Sequence, residues 1–164
     1  MIRNAAVFAL TLLSAGAASG AGTEVAFGGL KADPTLPVEV TSDALSVDQT
    51  NGTAVFTGNV VVVQGDMRMS AAEIRVEYTA APDRRVARMT ATGGVTLVSG
   101  GGDAASSEKA VYSPETGVVV MTGDVVLTQG ANAMSGQSLT VDLDTGTGRM
   151  EGRVTTTLAP AKKN

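Results

Sequence analysis

The chain has 164 residues, with 16 acidic and 12 basic side chains, a formal net charge of −4, and neither cysteine nor histidine. That length accommodates one core, and without thiols or imidazoles there are no disulfides, thiolate nucleophiles, structural zinc sites or histidine acid–base chemistry. Aromatics are 3% of the residues and no basic segment interleaves with them, which argues against nucleic-acid binding, since that rests on neutralising phosphates.

In chain order, Met1-Ile2-Arg3 precede an apolar stretch from Ala5 to about Leu13 and a small-residue run from Ser14 to Gly22. A charged start, an apolar middle and a small-residue end are the parts of a secretory signal. Ser19-Gly20-Ala21 supplies a small-x-small site, so residues 1–21 are expected to be cleaved off. The apolar run falls short of the roughly 20 residues that span a bilayer. Residues 22–37, with Pro34 and Pro37, read as a loose lead-in to a domain at 38–158, and residues 159–164 as a disordered polar tail.

From residue 38 the chain repeats itself. Phe56-Thr57-Gly58-Asn59-Val60, Ala91-Thr92-Gly93-Gly94-Val95, Met121-Thr122-Gly123-Asp124-Val125 and Met150-Glu151-Gly152-Arg153-Val154 share an apolar or small residue, a polar one, glycine, a variable residue and valine. A second set alternates with them, opening at Ser42-Asp43, Ala71-Ala72, Ser107-Glu108 and Gly136-Gln137. The period is about 29 residues, lengthened once by the turn-forming Ala81-Pro82-Asp83 stretch. Within the units apolar residues alternate with polar ones: Phe56, Val60 and Val62; Ile74, Val76 and Tyr78; Ala91, Val95 and Leu97; Ala110 and Tyr112; Val119, Met121, Val125 and Leu127; Leu139, Val141 and Leu143. Period two with one apolar face predicts strands. Asn51-Gly52, Gly65-Asp66, Gly117, Gly130 and Gly146 punctuate them as hairpin turns. The expectation is an all-β fold of strand–turn repeats around a continuous apolar interior.

The possible chemistry is limited. Asp43, Glu73, Glu108 and Asp142 recur with the repeat on polar faces, a solvated surface rather than a glycosidase pair, and no catalytic, metal or cofactor site is expected. Met67, Met69, Met89, Met121, Met134 and Met150 suit either a core or a variable apolar ligand. Small residues at Gly58, Ala91, Gly93, Gly123 and Gly152 fit a roll that keeps interior space, and the glycines fit bulges equally well.

The order of Val38-Glu39-Val40-Thr41-Ser42-Asp43, Phe56-Thr57-Gly58-Asn59-Val60 through Gln64-Gly65, and Met69-Ser70-Ala71-Ala72-Glu73 resembles the OstA-like (LptA) family, with a second copy at Met121–Val125 and Gln129-Gly130. The resemblance implies an open, twisted β-jellyroll in the periplasm. It implies a carrier that shields the lipid A acyl chains of lipopolysaccharide in an apolar groove between the inner and outer membranes. An LptC-type inner-membrane protein and an LptD-type outer-membrane protein would be its partners, and copies would join head to tail. Placed on this sequence, the groove residues are Phe56, Val60, Val62, Ile74, Val76, Val95, Leu97, Val125, Leu127, Leu139 and Val141. The same residues read as an ordinary closed core. Edge-strand assembly falls to Val38, Val40, Val154 and Thr156. The competing expectation is an LptC-like or structural envelope scaffold that carries no lipid.

Overall fold

A computed structural model describes residues 23–26, as backbone, and 35–160. The expected signal peptide, much of the lead-in and the last four residues lie outside the described residues. The described chain is strand and turn throughout: β1 (Thr23–Ala26), β2 (Val38–Thr41), β3 (Ala44–Asp48), β4 (Thr53–Gln64), β5 (Met67–Tyr78), β6 (Val86–Val98), β7 (Ala104–Ser113), β8 (Val118–Gln129), β9 (Asn132–Asp142), β10 (Thr147–Glu151) and β11 (Thr155–Thr157). They form one antiparallel sheet in the order β1-β10-β9-β8-β7-β6-β5-β4-β2, with β3 also on β4 and β11 also on β9. This is an all-β, open jellyroll, as the alternation and the repeat require.

The two repeated motifs mark a line across the sheet at which strands bend. In β4, β6 and β8 the glycine and the residue after it all have positive φ: Gly58 and Asn59, Gly93 and Gly94, Gly123 and Asp124. Each of these strands carries one residue more than its neighbours there, as the register breaks at Thr57/Val60, Thr92/Val95 and Thr122/Val125 show. An extra residue with glycine in the left-handed region is a bulge that bends a strand and increases its twist. The second motif lies on the adjoining strand and fills the space. A Cβ on Gly93 would stand 2.5 Å from Ala72 Cβ. Gly58, Gly123 and Gly152 face Asp43, Glu108 and Gln137 in the same way.

The bend line divides the sheet into two halves. On the near half β3 pairs with Thr53–Thr57 of β4, and β10 with Ser138–Asp142 of β9. On the far half β2 pairs with Val61–Gln64, and β11 with Ala133–Ser135. Both ends of the sheet are therefore split, between β2 and β3 at Ser42-Asp43 and between β10 and β11 at Gly152-Arg153. Thr23–Ala26, read from sequence as part of a loose lead-in, is instead strand β1, lying on β10 at the end of the sheet opposite β2. A pairing between residues this far apart leaves no mark in the local pattern.

The inner faces of the two halves make the core. Val60, Ile74, Val95, Met121, Val125, Leu127, Leu139, Val141 and Met150 are essentially inaccessible to solvent. At about 25 cal/mol for each Å² of apolar surface removed from water, such residues dominate the stabilisation.

Candidate functional site

Following partners from strand to strand gives rows of inward side chains. One row runs Leu45–Phe56–Ile74–Ala91–Ala110–Met121–Leu139–Met150. Large residues flank two adjacent alanines. Beside it on the near half runs Val47–Ala54–Val76–Met89–Tyr112–Val119–Val141. On the far half runs Val40–Val62–Met69–Leu97–Ala105–Leu127–Met134.

Where Ala91 and Ala110 meet, neither side chain reaches across the roll, and a cavity of about 80 Å³ remains. Met89, Tyr112, Val119 and Leu143 wall it on the near half; Val62, Met67, Met69 and Leu97 wall it on the far half. Val38 and Gln64 border it toward the β2 edge, where Gln64 Nε2 donates to the carbonyl of Leu36 at 3.1 Å. The interior is closed around Met121, Leu139 and Met150 but open at the opposite end. There Val38, Leu45 and Val47, inward by register, are 52%, 55% and 60% exposed.

Of the groove residues expected from sequence, Val62 and Leu97 line the cavity. Val60, Ile74, Val76, Val95, Val125, Leu127, Leu139 and Val141 are buried in the core, and Phe56 packs half-buried against it. The cavity walls of Met67, Met69, Met89, Ala91, Ala110, Tyr112, Val119 and Leu143 were not singled out as a site. The signal available was the three methionines, whose side chains adapt to irregular apolar shapes. Met121, Met134 and Met150 fill core positions. Of the edge residues, Val38 and Val40 lie in β2, Thr156 in β11 and Val154 just before β11.

The site's electrostatics are sparse. Burial, and then the charge of Asp144, push the Tyr112 phenol above its ordinary pKa. The carboxylates act locally. Asp142 accepts the backbone N–H groups of Asp144 and Thr145 at 3.0 Å each, which hold it below the usual carboxylate range, Thr145 contributing most. Asp48 is lowered in the same way, chiefly by Asn51. Asp43 accepts from Asn59 Nδ2 at 2.9 Å. Among the described residues no three acidic side chains group as a metal site would require.

The family model for LptA and the LptD N-terminal domain, lipopolysaccharide transport proteins, matches residues 39–147, from β2 into β10. This chain belongs to that lipopolysaccharide-transport family. An uncharacterized protein of Rhizobium meliloti (strain 1021) is 31% identical over 161 residues, covering 92% of this chain and 86% of that protein. Among solved structures, the roll is similar to LptH, described as the LptA-homologous periplasmic component of the lipopolysaccharide transport device of Pseudomonas aeruginosa. The TM-score is 0.69 at 18% identity, over 79% of this chain and 99% of LptH. At that identity the likeness concerns the fold. The family match takes in the bend line and the cavity walls, and leaves β1 and β11 outside it.

Proposed function

We propose that this member of the family is a periplasmic carrier that moves lipopolysaccharide from the inner to the outer membrane, shielding its acyl chains along the interior of the roll. The observation that carries the reading is the methionine-walled cavity, continuous toward an edge where inward-facing Val38, Leu45 and Val47 stay exposed. The cavity alone holds a few methylene groups, so longer chains extend along that exposed face. Each methylene withdrawn from water contributes about 0.8 kcal/mol. Several acyl chains are then held without a charged site, while their head groups remain hydrated.

The sheet's periodicity supports end-to-end stacking. Strands bearing the second motif (β2–β3, β5, β7, β9) alternate with strands bearing the glycine motif (β4, β6, β8, β10–β11). Leaving β1 aside, the motif-bearing strands start on one type and finish on the other, so a second copy added at β10–β11 continues the alternation in phase. Its β2 would run antiparallel to β11 and its β3 antiparallel to β10. In this reading an LptC-type protein occupies one end of the stack and an LptD-type protein the other.

Photocrosslinking residues placed singly at Met69, Met89 and Leu97 are expected to give lipopolysaccharide adducts in cells, and residues at Val125 and Leu139 few. Failure at all three cavity positions would replace the carrier with the lipid-free scaffold. For stacking, Val40→Cys and Thr156→Cys on different molecules should crosslink, since in phase Thr156 takes the place that Val62 has opposite Val40.

A further inference from the structure

The two ends of the sheet differ in one respect that stacking makes consequential. At the β4 end, β2 and β3 both stand one strand out, so the edge is flush. At the β9 end, β11 also stands one strand out, but β10 carries β1 beyond it. That edge is stepped by a strand width, about 4.8 Å. A flush edge cannot pair both its halves with a stepped one.

The place β1 occupies is the one stacking assigns to β3 of the next copy. Both run antiparallel to β10, on the near half of the roll. The backbone register places Glu24 opposite Arg149 and Ala26 opposite Thr147. Strand β1 also satisfies edge backbone groups that would otherwise recruit other chains.

We infer that β1 is an intramolecular cap on β10 that stands in for the incoming strand and must leave before a second copy of this chain can extend the sheet. The inference rests on the stacking part of the proposed function and is independent of lipid carriage. The uncapped chain stacks; the capped chain stays single. Assembly then begins with an exchange of strands on β10.

The native chain has no cysteine, so a Glu24→Cys/Arg149→Cys pair carries the only thiols. Directly opposed residues of an antiparallel pair have Cα atoms about 4.5–5.5 Å apart, within disulfide range. Oxidation at low protein concentration should give an intramolecular disulfide. The oxidised protein should stay monomeric by light scattering at concentrations where the reduced protein assembles. A disulfide between chains, no disulfide, or equal assembly of both forms overturns the cap. Independently, Glu24→Pro/Val25→Pro removes whichever of the two consecutive N–H groups faces β10 and fixes φ at both positions, without touching the sheet beneath. With circular dichroism unchanged, it should raise the yield of the Val40→Cys/Thr156→Cys intermolecular crosslink about tenfold. An equal, substantial yield with and without the prolines overturns the cap and leaves stacking intact; no crosslink in either overturns stacking as well.

Discussion

Gly93 and Gly94 offer an internally controlled test of the bend line. Their φ angles are nearly equal, +84° and +81°, but a Cβ on Gly93 would stand 2.5 Å from Ala72 Cβ, whereas a Cβ on Gly94 would meet nothing within 4 Å. Both alanine substitutions incur the left-handed penalty of about 1–2 kcal/mol. Only Gly93→Ala adds an overlap with a rigid neighbour, which overpacking series place at about 1–3 kcal/mol. Gly94→Ala should therefore cost about 1–2 kcal/mol, and Gly93→Ala about 2–5. Adding Ala72→Gly to Gly93→Ala should return most of the difference, less about 0.5–1 kcal/mol for a glycine within a strand. Urea unfolding followed by far-ultraviolet circular dichroism reads these costs, provided the slope with denaturant stays constant. Equal destabilisation by the two alanines, or no rescue by Ala72→Gly, would refute the packing of the second motif over the first.

Other substitutions separate cavity from core. Ala110→Leu extends a side chain into the cavity from the middle of the alanine pair. It should keep the circular dichroism spectrum and lower lipopolysaccharide adduct yield at Met69 severalfold. Leu127→Ala, at a position with no solvent exposure, should destabilise by about 2–5 kcal/mol in the same urea assay. Asp142 and Asp48 have lowered carboxyl pKa values in the fold. The stability they contribute is present above the unfolded-state value near 4 and is lost as pH falls through the lower folded value. Asp48→Asn/Asp142→Asn should accordingly flatten the decline in urea midpoint below pH 4, and an unchanged decline would remove these turn carboxylates from the explanation.

How much of this was legible in the sequence depends on the range of the interaction. Strand identity was legible, because alternation at Ile74-Arg75-Val76 or Leu139-Thr140-Val141 is a property of neighbouring residues. The bend line was visible as two alternating motifs, but its meaning was not. Glycine and its successor at positive φ keep inward parity along β4 from Phe56 to Val60, while on β5 parity reverses between Ala71 and Ile74. Met67 and Met69 therefore face inward although they are out of phase with Ile74 and Val76. A single alternating template recovers only one half of such a strand. Strand β1 was illegible for a different reason: its partner lies at the other end of the chain.

The cavity shows the same limit at the site. Ala91 and Ala110 are unremarkable as individual inward alanines. The space exists because the register of β6 against β7 makes them cross-strand partners, with Met89 and Tyr112 paired beside them. Large residues at Ile74 and Met121 bound the gap on either side. Moving the β6–β7 register by two residues would part the alanines, setting Ala91 against Tyr112 in one direction or Ala110 against Met89 in the other, and disperse the space. The cavity is thus a property of pairing rather than of composition. The valines chosen from the sequence were mostly core because Val60, Val95 and Val125 flank the bend, where the two halves of the sheet pack most closely and these side chains lose all exposure. Ala91 flanks the same bend, two residues from Gly93 on the side away from Val95, and with Ala110 across from it leaves the interior open there. Along the bend, side-chain size therefore decides where the roll closes and where it keeps space.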